Sequence, residues 1–206
     1  MKRLFLLTLS VFCVCAAFAQ EQGPLDALAR TLSSGESRFN YSFEVKGDIP
    51  MKGNGAAALC GEAYLIFGNE MEIWCDGKTR WTIDRNTCEA YVEAVDADSY
   101  DYISNPATLL EALPRAFEIR SVSDVTLGGK ALKLVRLVPA VGDTGLKSVG
   151  LYLDGAVPAR VSITVDDGTE TLFRLTGFTV REKSDASAFA FDIASLGADY
   201  VVTDLR

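Results

Sequence analysis

Residues 74–81 read Trp74-Cys75-Asp76-Gly77-Lys78-Thr79-Arg80-Trp81, two tryptophans either side of an Asp-Gly pair. Asp-Gly between short alternating runs predicts a two-residue β-hairpin turn, because both central positions of such a turn need a positive φ. With Asp76-Gly77 as that turn, Cys75 faces Lys78, Trp74 faces Thr79 and Glu72 faces Trp81. Side chains alternate between faces along a strand, so Trp74 and Trp81 point to one side. What that side looks at decides how the rest of the chain is read.

Turns at Gly68-Asn69 and Arg85-Asn86 extend the register. They bring Leu65 and Phe67, then Ile83, Ala90 and Val92, onto the tryptophan face. The other side of the last two strands carries Arg80, Thr82, Glu89, Tyr91 and Glu93, which is solvent chemistry. The tryptophans are therefore expected to point inward, on an apolar concave side, with Glu70 and Glu72 at its rim. Two readings fit such a face. One is ordinary core. The other is the wall of a cavity for a greasy ligand, since a curved sheet with few helices encloses more volume than its own side chains fill.

The flanking chain repeats the pattern. Pro24–Leu32 is predicted as a short helix whose stripe is Leu25, Leu28, Ala29 and Leu32. From Phe39 the period changes to two, with turn signals every eight or nine residues up to about residue 94. An insertion follows, with Asn105 as helix cap, Pro106 as first helical residue, and Leu109, Leu110 and Leu113 on one face before Pro114. Strands resume from about residue 116, and a final edge strand is expected at Tyr200–Asp204. About eleven consecutive strands are too many for a flat sheet. The fold class expected is mainly β (α+β), an incomplete antiparallel barrel with a short helical lid.

Bulk features restrict the function. Lys2 and Arg3, an apolar run from Leu4 and an Ala-Phe-Ala exit form a secretory signal peptide over residues 1–19, cleaved after Ala19. No lipobox precedes Cys13 or Cys15. Residues 20–206 then form one domain in the periplasm. Loss of the leader removes two cations and no anion, so the formal charge falls from −8 to −10. Such a chain is repelled by nucleic acid. It has no histidine, which removes the usual catalytic triad and the commonest general base and zinc ligand, and no Gly-rich phosphate loop is present. No catalytic residue, cofactor or metal is expected. Cys60, Cys75 and Cys88 remain in the mature chain, so at most one internal disulfide forms. The register leaves two readings open, a Cys60–Cys75 bridge helped by a bulge at Gly61, and three buried thiols.

Three stretches resemble one family. Cys75–Thr82, CDGKTRWT, is similar to the core motif of the outer-membrane lipoprotein carriers, the LolA-like periplasmic chaperones. Asn105–Leu110, NPATLL, follows as that family's helix does, and the ending with Phe191-Asp192 and Asp204-Leu205-Arg206 resembles carriers of the Bacteroidota. The resemblance implies an incomplete barrel whose cavity takes the acyl chains of lipoproteins. The partners it implies are acylated lipoproteins, an inner-membrane ABC-type release complex and an unidentified outer-membrane acceptor, with the carrier monomeric. It places Leu65, Phe67, Trp74, Trp81, Ile83 and Val92 in the cavity wall. It places Leu25, Leu28, Leu109, Leu110 and Leu113 in the lid. Proteobacterial carriers have a functional arginine in the strand before the hairpin; residues 53–67 contain none. The alternative on the same fold is a lipid-sensing, envelope-stress binding module.

Overall fold

The computed structural model describes residues 23–68, 70–95, 106–141 and 145–206. The leader, Asn69 and the Asn105 cap lie outside these residues. Twelve strands form one sheet. The first six are β1 (Glu36–Lys46), β2 (Met51–Cys60), β3 (Ala63–Gly68), β4 (Met71–Cys75), β5 (Thr79–Asp84) and β6 (Glu89–Ala94). The second six are β7 (Phe117–Leu127), β8 (Lys130–Pro139), β9 (Leu146–Asp154), β10 (Val157–Val165), β11 (Glu170–Arg181) and β12 (Val201–Asp204). Helix α1 (Gly23–Ser33) precedes them and α2 (Pro106–Ala116) lies between β6 and β7. Helix α2 continues past Pro114, where an end was expected. The proline sits in its last turn, where few helical bonds remain to be lost. Among the described residues no helix is long and apolar enough to cross a membrane.

The spatial order is β12-β6-β5-β4-β3-β2-β1-β11-β10-β9-β8-β7. Two antiparallel meanders, β1–β6 and β7–β11, are joined where β1 pairs with β11. The sheet is open, with β7 at one edge and β12, parallel to β6, at the other. This order forces two long crossings. After β6 the chain must reach the far edge, and α2 lies in that connection. After β11, at mid-sheet, it must reach the edge beyond β6, and residues 182–200 do so. The crossings take opposite faces, because each face of β1–β4 offers an apolar surface to cover. We call these the helix face and the tail face.

The hairpins differ from the expected register by two residues. Asp76 stands ahead of the turn centre, where its Oδ1 accepts from the backbone N–H groups of Lys78 and Thr79, each at 2.8 Å. The centre is Gly77-Lys78, with Gly77 at φ 89°. Trp74 therefore pairs directly with Trp81. Asp84 does the same for Asn86 and Thr87 at 2.8 and 3.2 Å, giving a four-residue loop in place of the Arg85-Asn86 turn. Gly68 pairs with Met71 and Leu65 with Trp74. Aspartate favours these leading positions because its carboxylate mimics a backbone acceptor. A shift of two is one full side-chain period, so partners change and faces do not.

Candidate functional site

The helix face is built from leucine. Spacing of three and four puts Leu25, Leu28 and Leu32 on one stripe of α1, and Leu109, Leu110 and Leu113 on one stripe of α2. All six are buried, in one cluster with Phe39, Leu59, Tyr64, Val135, Leu151 and Val161 of the sheet. The five residues expected in the lid, Leu25, Leu28, Leu109, Leu110 and Leu113, are thus brought together.

Glycines shape the floor beside them. Gly55 pairs with Tyr41, and a Cβ there would meet the Phe67 carbonyl oxygen at 2.1 Å and the Tyr41 hydroxyl at 2.6 Å. The small residues of β2 make room for aromatic rings. Tyr41 and Phe43 both lie against Phe173, with centroids 6.2 and 6.0 Å apart. Beyond the helices the same face continues through Phe43, Val45, Met51, Met71, Ile73 and Val165. Met51 is 53% exposed and Met71 41%. The apolar face is therefore longer than its cover.

Its border at β5 and β6 is polar. Arg80 pairs with Glu93 at 2.9 Å. Burial pushes the Tyr64 hydroxyl and the Cys75 thiol up, so both stay neutral. Burial also pushes the Glu111 carboxyl of α2 up; Arg115, at 2.8 Å, opposes the rise and Glu62 adds to it.

The tail face holds the residues expected in the cavity wall. Leu65, Phe67, Trp74, Trp81, Ile83 and Val92 do share one face, as their parity requires. It is the face away from the helices, which corrects the expectation that the tryptophans look into the lidded side. Residues 184–200 cross it in strand order. The Ser184 hydroxyl donates to Glu36 of β1, and its carbonyl oxygen accepts from the Cys60 thiol of β2 at 3.5 Å. Phe189, 1% exposed, packs with Ala58, Cys60, Ala63 and Leu65. Phe191 meets Trp74, with centroids 5.5 Å apart. Ile193, Leu196 and Tyr200 pack on the cluster of Trp81, Ile83, Ala90 and Val92.

Polar contacts fix both ends of this crossing. Glu36 is 3% exposed. Burial pushes its carboxyl up, but Ser184 and Arg38, with Arg181 nearby, bring it below the ordinary range. Glu72, expected at a rim, accepts from the Trp74 indole at 3.2 Å and from Arg85 at 2.9 Å. Arg85 in turn donates to the Tyr200 hydroxyl at 3.2 Å.

The three cysteines are free thiols. Cys60 faces the tail and Cys75 the helices, so the Cys60–Cys75 bridge is not formed. The physical reason is the register: Cys75 pairs with Tyr64, which pairs with Leu59, and Cys60 is one residue out of phase. Sequence reasoning missed the uncovered part of the helix face. Strands β3 and β4 are apolar on both sides, so alternation carries no signal for which side is which.

No family model matches the chain, and no curated protein sequence matches it. Solved structures do. The sheet is open and carries few helices, an incomplete barrel. The chain is similar to an uncharacterized conserved protein from Thermus thermophilus, with 10% identity, TM-score 0.57, and 90% of this chain and 99% of that one covered. It is also similar to a LolA superfamily protein from Nitrosomonas europaea, with 8% identity, TM-score 0.44, and 84% and 98% covered. A third similarity is to the Pseudomonas aeruginosa MucA/MucB complex structure, with 15% identity, TM-score 0.43, and 89% and 63% covered.

Proposed function

We propose that the protein binds the acyl chains of lipoproteins on its helix face and carries them through the periplasm from the inner to the outer membrane. The observation that carries this reading is the apolar face that outruns its two helices. Phe43, Met51, Met71, Ile73 and Val165 offer an acyl chain a place to begin. The lid leucines mark where it would continue once α1 and α2 lift. Each methylene removed from water contributes about 0.8 kcal/mol, so a chain needs no polar recognition to bind. Release needs only a cover that opens, and leucine contacts have no directional bonds to break. On this reading the cargo comes from an inner-membrane ABC-type complex, and no catalytic step is required.

The test is displacement of an environment-sensitive apolar dye by palmitate. Met51→Glu with Met71→Glu places two charges on the uncovered surface without touching buried core, and should abolish dye binding. Trp81→Phe on the tail face should leave it unchanged. Equal binding by the double variant and the wild type would refute the site. In cells, depletion should strand outer-membrane lipoproteins at the inner membrane. Normal lipoprotein location together with intact acyl binding would replace the carrier by the lipid-sensing module.

A further inference from the structure

The tail covers β1–β6 only, and the half of the same face over β8–β11 is differently built. Arg160 of β10 pairs directly with Arg174 of β11. Arg174 has Ser42 on its other side, and Arg160 has Tyr152. Arg136 of β8 lies opposite Gly150, which faces Ser162 of β10. Arg136 and Arg174 are exposed and Arg160 half-buried.

Like charges directly opposed across strands are destabilising. This chain has the means to neutralise them, with 28 acidic residues against 20 basic. The flanking carboxylates are instead matched to lysines: Glu44 to Lys52 at 3.2 Å, Glu170 to Lys46 at 3.7 Å and Asp154 to Lys130 at 2.6 Å. Among the described residues none of the three arginines has a carboxylate partner. Arg160 leans over the Tyr152 ring, 5.8 Å from its centroid, which turns it away from Arg174. Between the arginines Gly150 leaves the sheet without a side chain, and the Ser162 hydroxyl stands 2.4 Å from where a Cβ would be. The result is a shallow depression bordered by the three arginines, the Ser162 hydroxyl, the Tyr152 ring, Leu134 and Leu172.

We propose that this surface docks an acidic segment of a partner protein. Guanidinium forks bind carboxylates in pairs, which fits an extended run of Asp and Glu crossing the strands. A flat anionic bilayer is disfavoured, because it would also meet Glu44, Glu170 and Asp154 on the same face and the net negative charge of the whole chain. A narrow segment along Arg136, Arg160 and Arg174 can pass between those carboxylates, of which Glu44, opposite Leu172, is held by Lys52.

The experiment is fluorescence anisotropy of the protein with a labelled polyglutamate peptide, beside flotation with phosphatidylglycerol vesicles. Wild type should bind the peptide, more weakly as salt rises. Arg136→Gln, Arg160→Gln and Arg174→Gln together should weaken binding at least about tenfold, three charge contacts combined. The matched variant Arg30→Gln, Lys78→Gln and Lys147→Gln has the same net charge, uncovers no carboxylate beside the site, and should keep the wild-type affinity. The arginine variant should melt no lower than the wild type, since a repulsive pair is relieved. No peptide binding by wild type, equal losses in the two variants, or binding to vesicles without binding to peptide would each overturn the proposal.

Discussion

Phe189→Ala tests whether the C-terminal crossing is a separate cover over the tryptophan face. Phe189 is 1% exposed, and its neighbours there are Ala58, Cys60, Ala63 and Leu65. An aromatic side chain buries about 150–250 Å², with phenylalanine, the smallest of the three, at the low end. At about 25 cal/mol per Å² the ring contributes roughly 4 kcal/mol, inside the usual range for truncating a core phenylalanine. Residues 182–200 attach to the rest of the chain mainly through such contacts, so the loss should appear as local opening. About 4 kcal/mol corresponds to roughly a thousandfold higher open population. The cysteines report it without further engineering. Cys60 lies under Phe189 at 7% exposure, and Cys75 lies on the helix face at 0%. Half-buried Cys88, whose thiol donates to Asp199 of the tail at 3.5 Å, should label faster too, and Cys75 is the internal reference. Maleimide labelling read by peptide mass spectrometry should show Cys60 faster by two to three orders of magnitude, at the scale of that estimate. Cys75 should scarcely change. An unchanged Cys60 rate would refute the covering role of the tail. A Cys75 rate rising in step with Cys60 would show that the two faces open as one unit.

Leu110→Ser should destabilise the fold by about 3 kcal/mol or more, read by denaturant melts, because a side chain at 0% exposure is replaced by a small polar one; a normally stable variant would mean that α2 is not part of the core. Gly55→Ala should cost about 1–3 kcal/mol, since its Cβ would lie 2.1 Å from a backbone oxygen. Glu111→Gln should raise the melting temperature at about pH 7 and not at about pH 4. The folded carboxyl titrates above its ordinary 4.5, so the folded state holds the proton more tightly and stability falls as pH rises through that window. A gain of equal size at both pH values would exclude ionisation as the cause.

The strand count, the two helices and their leucine stripes follow from local patterning, because period two and period 3.6 each bury one side of an element. The side-chain faces of β3–β6 follow too, although their hairpin partners are displaced. Asp76 and Asp84 moved each turn by a whole side-chain period, and parity survives such a move. Which face the helices cover is a different kind of fact. Trp74 with Leu65 and Ile73 with Ile66 are apolar pairs on opposite sides of the same two strands. Alternation is symmetric between those sides. Only the strand order, with β1 against β11 at the centre, makes the connection after β6 and the one after β11 each cross a face. One crossing brought the leucines of α2 over Tyr64 and Leu59, and the other brought Phe189 and Phe191 over Leu65 and Trp74. The tryptophan hairpin is therefore legible in the sequence as a hairpin with one apolar face. What that face looks at was decided by a segment more than a hundred residues away, through pairing that no local pattern encodes.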